Sequence, residues 1–157
     1  MDIQELSEQP ALLIKPAILF ALLKTIPFVF AAMAFLYIAW HFYPNLIWIS
    51  LTIMVFALYR FMYIRKIDYI LTNEILRISR GIFFKRTDTI ELYRIKDYIL
   101  TQPPLLQVFR LMDLMLKTTD PENPVIWLRG IPLSNLVDTL RSYVQEARQR
   151  SKIVELN

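Results

Sequence analysis

The carboxylates of this 157-residue chain are spaced against acid–base catalysis. Asp88 and Glu91 stand three apart in a run of alternating apolar and polar residues. In a regular strand their side chains leave opposite faces, whereas general acid and base must converge on one proton-transfer site. The single histidine, His41, cannot form a histidine metal cluster alone, and it lies in the loop between two long apolar runs, on the side opposite the polar half of the chain. The absence of cysteine removes thiolate nucleophiles, disulfides and zinc–thiolate sites. Two glycines are too few for a glycine-rich phosphate cradle. No catalytic residue, metal, cofactor or small-molecule substrate is therefore expected.

The remaining chemistry is that of cations and aromatic rings. Arg60, Arg65, Lys66, Arg77, Arg80, Lys85 and Arg86 follow one another closely and suit contacts to an anionic lipid surface. Setting membrane orientation and solvating exposed faces accounts for the same charges. A nucleic-acid interface needs a basic patch with stacking aromatics. Here Asp88, Glu91 and Asp97 interleave with Lys85-Arg86 and Arg94-Ile95-Lys96, so no nucleic-acid partner is expected. The segment Glu91-Leu92-Tyr93-Arg94-Ile95-Lys96-Asp97-Tyr98 is more polar than a core strand. Tyr93, Arg94, Lys96, Asp97 and Tyr98 make a candidate interaction surface, since interfaces enrich Tyr and Arg, although plain strand alternation gives the same pattern.

The elements that must position these groups are legible from periodicity. Apolar residues make up 55% of the chain, above the ~45–50% of soluble domains, and the excess lies in the first 64 residues. Residues 1–16 open acidic, with Asp2, Glu5 and Glu8, and turn apolar at Ala11-Leu12-Leu13-Ile14. This stretch lacks the basic start and cleavage site of a signal peptide; it reads as a short strand or interfacial segment, against a flexible tail. Residues 17–40 and 46–64 are long enough to span a bilayer as helices, with Lys24 snorkelling to the headgroups and Pro27 kinking the first. The short 41–45 loop makes them an antiparallel hairpin with Trp40, Tyr43 and Trp48 as interface anchors. The competing reading is a buried hairpin of a soluble protein.

The loop at 41–45 has no Lys or Arg, whereas Lys15, Arg60, Arg65 and Lys66 flank the other ends of the spans. The positive-inside rule then places both termini and residues 67–157 in the cytoplasm, on the inner membrane of a bacterium. Asp68 to Gln102 alternates with period two and is punctuated at Asn73-Glu74 and Gly81, which predicts three or four antiparallel strands. Pro103-Pro104 ends that run, before a helical turn that plugs the sheet. Further strands are predicted at 112–118 and 125–128, the last ended by Gly130. A final helix is capped by Ser134, with an apolar stripe of Leu136, Leu140, Tyr143, Val144 and Ala147.

Two spans followed by Tyr69-Ile70-Leu71-Thr72, a second strand ending in Arg80-Gly81, and Leu92-Tyr93-Arg94-Ile95-Lys96-Asp97 resemble the membrane-flanked bacterial PH-domain proteins of the second bacterial pleckstrin-homology group. Residues 111–119, Pro124-Val125-Ile126 and the Ala11–Pro16 segment are also similar. One departure is that Phe109-Arg110-Leu111-Met112 stands where the family often has a glycine-rich step. The resemblance implies a membrane α-helical hairpin carrying an α+β, mostly-β PH-like domain: two orthogonal antiparallel sheets of about six or seven strands capped by a C-terminal helix, in agreement with the periodicity. It implies no catalysis. The function expected is a non-enzymatic integral membrane protein whose cytoplasmic domain is an assembly module, within a larger membrane complex or a homo-oligomer. The alternative is recognition of anionic lipid headgroups at the membrane surface.

Overall fold

The computed structural model describes residues 11–155. The acidic opening of the chain and the C-terminal Asn157 lie outside them. β1 (Leu12–Ile14) is followed by α1 (Ile18–His41), a 3-10 turn (Pro44–Leu46) and α2 (Ile47–Arg65). The polar half contains β2 (Asp68–Leu71), β3 (Ile75–Arg80), β4 (Arg86–Glu91), a 3-10 turn (Leu92–Arg94) and β5 (Ile95–Thr101). It continues through α3 (Pro104–Val108), β6 (Leu111–Thr118), β7 (Val125–Pro132) and α4 (Leu136–Glu155). The strands form two antiparallel sheets, ordered β1-β2-β3-β4 and β5-β6-β7.

Each sheet buries one face. In β3 the buried row is Leu76 and Ile78; in β6 it is Met112, Leu114 and Leu116; in β7 it is Ile126 and Leu128. Leu136, Leu140, Val144 and Ala147 of α4 close this core, with Tyr143 only partly buried. Arg148 donates to the Ile95 carbonyl, tying the helix to the corner where the chain passes between the sheets. The 72–75 turn is closed by Thr72, whose hydroxyl bridges the backbone of Ile75 in both directions.

The hairpin helices keep mostly apolar surface outward: Phe30, Tyr37, Val55 and Leu58 are all exposed. Both helices are long and apolar enough to cross a membrane. Small residues allow their backbones to approach, with Ala32, Ala39, Ser50 and Ala57 buried between them. Ser50 Oγ donates across the pair to the Ala32 carbonyl at 2.7 Å. α1 continues through Pro27 as one helix.

β1 is the short strand that the sequence offered at the start of the chain; it pairs with β2, Leu13 opposite Ile70, so the helices are bracketed by neighbouring strands of one sheet. Three features differ from the periodicity reading. Gly130 does not end β7. It sits inside the strand at φ 63°, beside Arg129, where the two residues face Asp113 alone and form a bulge. α3 does not plug the sheet: Leu106 packs with Phe20, Ala21, Ile64 and Leu111 at the root of the hairpin. The last helix begins at Leu136, one residue later than a Ser134 cap would give, and the Asn135 carbonyl accepts the Thr139 N–H at 3.0 Å.

Candidate functional site

A crevice of about 610 Å³ lies at the seam between hairpin and sheets. Its walls come from three separate regions. α1 contributes Phe20 and Lys24. α2 contributes Phe56, Tyr59, Arg60 and Tyr63. The sheets contribute Tyr69, Arg80, Val125, Trp127 and Arg129. No carboxylate lines it.

Period-two geometry explains the sheet wall. Val125, Trp127 and Arg129 share the outward row of β7, opposite the buried Ile126 and Leu128. Arg80 continues the inward row Leu76–Ile78, but at the strand end, past the core, so its side chain emerges at the mouth. On the hairpin, Lys24 lies six residues after the start of α1 and Arg60 five before the end of α2. Antiparallel packing sets the two at similar depth from the same end, roughly 8–9 Å inward at 1.5 Å per residue.

Among the described residues no carboxylate neutralises the four cations. Among the described residues the ion pairs are Lys15–Asp68, Arg86–Asp88, Arg94–Glu91, Arg94–Asp120 and Arg150–Glu74, and none includes Lys24, Arg60, Arg80 or Arg129. Aromatic faces hold three of them instead. The Lys24 ammonium is 5.6 Å from the Phe20 ring centre, the Arg60 guanidinium 5.3 Å from that of Phe28, and the Arg129 guanidinium 5.1 Å from that of Trp127. A ring face orients a cation without discharging it, so the charge stays available to an anion. Arg80 stands directly across the β3–β4 pair from Arg86, an unfavourable like-charge placement. Asp88 holds Arg86 at 2.8 Å and pushes its guanidinium pKa up, while Arg80 has no such partner.

Tyr69 forms the floor. Burial pushes its phenol pKa up, partly offset by the Arg129 backbone N–H, which donates to the hydroxyl at 3.3 Å. The neighbouring Gly130 N–H donates to Asp113 Oδ1 at 2.7 Å, so the bulge that carries Arg129 is fixed from both sides.

Of the basic residues named from sequence, the structure brings Arg60 and Arg80 together here. Arg65 and Lys66, at the end of α2, do not line the crevice, although Ile64 and Ile67 on either side of them do. Arg77 alternates to the other face of β3, beside a hollow it shares with Glu91, Arg94 and Asp120. Lys85 and Arg86 belong to the β3–β4 hairpin tip, Arg86 lining an adjoining hollow with Arg80. Lys24 and Arg129 are the two the sequence reading missed. The usable signals were a lone cation at matching depth in each apolar run, and Trp127-Leu128-Arg129 on one strand.

The Glu91–Tyr98 segment serves mainly as the corner between the sheets. Leu92 and Ile95 are core residues, and the Arg94 carbonyl accepts the Thr119 N–H at 2.9 Å. The Arg94 side chain is engaged by Glu91 at 2.7 Å and stacks on Tyr93. Lys96 and Asp97 are exposed, and Tyr98 is half-buried against the core.

A family model described as a bacterial PH domain matches residues 11–148, from β1 through both helices and into α4. No curated protein and no solved structure matches the chain.

Proposed function

The chain belongs to the bacterial PH-domain family, and from that premise we propose that it is a non-enzymatic, membrane-anchored recognition module that holds an anionic phospholipid headgroup in the crevice. One observation carries the reading: four cations from four different elements, none ion-paired among the described residues, converge on an opening that no described carboxylate lines, at the polar end of an apolar hairpin. A phosphate is the ligand such a set suits, since guanidinium groups match its oxygens bidentately. Phe20 and Phe56 line the same opening on the hairpin side, where an acyl chain would leave it. In this reading the hairpin spans the bacterial cytoplasmic membrane, and the termini and sheets face the cytoplasm. Supporting it are the outward apolar surface of both helices and the cation-free loop at 41–45.

Thermal unfolding of the full chain in neutral detergent tests the headgroup reading. Phosphatidylglycerol raises Tm and phosphatidylcholine does not; Arg80→Ala and Arg129→Ala lose the shift and Arg77→Ala keeps it. Equal shifts by the two lipids would sink the proposal. A shift from soluble glycerol phosphate as large as that from phosphatidylglycerol would assign the crevice to a free anion.

Assembly with a protein partner or a second copy is favoured by a different observation. β5 is an edge strand carrying exposed Ile99 and Leu100 next to exposed Lys96 and Asp97. An uncovered edge is a template for strand addition. Blue-native electrophoresis after mild extraction decides it: a monomer with nothing co-migrating counts against assembly.

A further inference from the structure

We infer that the tip of the β3–β4 hairpin is a second membrane contact, in which Phe83 and Phe84 enter the headgroup–hydrocarbon boundary of the leaflet from which α2 emerges. The inference rests on the membrane reading of the hairpin. Phe83 is 82% and Phe84 92% exposed, two adjacent aromatic rings with almost no protein against them. Cations flank them, Arg80 before and Lys85-Arg86 after, Arg86 being paired with Asp88, and no carboxylate lies between Gly81 and Thr87. Rings that bury, ringed by cations that reach anionic headgroups, are the composition of interfacial insertion.

Position selects the occupant. Phe84 and Gly81 line one hollow with Tyr63, which is in the last turn of α2. The tip therefore stands beside the end of α2, where Tyr63 lies roughly 3 Å along the axis from Arg65 at 1.5 Å per residue. The loop is also closed on itself. Gly81 adopts φ 112°, and the Phe84 carbonyl oxygen lies 2.0 Å from where a Cβ would stand. The turn is tight at Gly81, and both rings stand exposed at its tip. The charge pattern matches an anionic leaflet.

The chain has no cysteine, so one introduced cysteine reports one site. Phe84→Cys, Phe83→Cys, Leu58→Cys on the outward face of α2 and Gln145→Cys on the exposed face of α4 are each labelled with an environment-sensitive fluorophore. The full chain is then placed in nanodiscs of phosphatidylglycerol and phosphatidylcholine, with and without nitroxide-labelled lipid. The expected result is blue-shifted, lipid-quenched emission at Phe84, Phe83 and Leu58, and aqueous, unquenched emission at Gln145. Quenching at Leu58 with aqueous emission at both tip positions overturns the inference and leaves the membrane hairpin standing. A blue shift at the tip without lipid quenching overturns it in favour of a protein occupant. Absence of quenching at Leu58 overturns the membrane reading itself.

Discussion

The ring of Phe20 occupies the space in which a side chain on Gly130 would begin: a Cβ placed on Gly130 would lie 2.0 Å from Phe20 Cγ. One residue belongs to the first turn of α1 and the other to the bulge of β7. The Ala17 N–H donates to the Gly130 carbonyl at 2.8 Å alongside. The root of the hairpin is thus in direct contact with the β7 bulge at this glycine.

Gly130→Val is expected to unseat the hairpin. A β-branched residue at φ 63° costs about 1–2 kcal/mol, and overpacking against Phe20 about 1–3 more. Thermal unfolding in detergent measures the loss. Adding Phe20→Ala relieves the packing part only, so the double variant is more stable than the sum of the singles predicts.

Removing one crevice cation is expected to weaken phosphatidylglycerol binding about fivefold, the equivalent of ~1 kcal/mol per basic group near an anionic surface. Lys24→Gln, Arg60→Gln, Arg80→Ala and Arg129→Ala are the variants, and Arg77→Ala is the control on the opposite face. Lipid titration followed by native mass spectrometry gives the ratios. Raised salt lowers binding to all variants, and the gap between wild type and variants narrows.

Arg110 is held at φ 52° just past α3, the left-handed position usually given to glycine after a helix. Its N–H donates to the Gln107 carbonyl and its own carbonyl accepts from the Leu133 N–H, which hold the backbone in this conformation. Arg110→Gly is expected to stabilise the chain by about 1 kcal/mol and Arg110→Val to destabilise it by a similar amount. A Tm for Arg110→Gly below wild type would contradict the strain.

Tyr69 gives a pH dependence. Burial raises its phenol pKa above the ordinary value of 10.0. The fold favours the neutral form, so this contribution to stability is complete below pH ~10 and is lost as pH rises through the folded value. Wild-type Tm is expected to fall more steeply above pH ~10 than that of Tyr69→Phe. At neutral pH the variant is less stable by about 1 kcal/mol, having lost the bond from the Arg129 N–H.

Orientation is testable in the cysteine-free chain. Asn45→Cys, in the loop without Lys or Arg, should react with an impermeant maleimide in intact cells. Asn123→Cys, in the β6–β7 connection, should react only once the membrane is broken. The reverse pattern would place the sheets outside the cytoplasm.

What the sequence by itself determined is everything set by periodicity within one element. The alternation from Asp68 to Gln102 and the stripe on the last helix each bury one face, and the two apolar runs are set by length and composition, so each pattern is written locally. The motifs from Tyr69 to Tyr98 likewise carried the family resemblance, and the departure at Phe109–Met112 marked the spot where Arg110 is strained. The tertiary structure decided which groups meet. Lys24, Arg60, Arg80 and Arg129 are far apart in the chain and ordinary in their own surroundings. They converge because α1 and α2 pack antiparallel, β1 returns to pair with β2, and the bulge at Arg129–Gly130 shifts the register of β7 against β6. A bulge breaks alternation by one residue, and a lone glycine does not reveal whether it ends a strand or bends it. That ambiguity is resolved only by what presses on it, here the ring of Phe20.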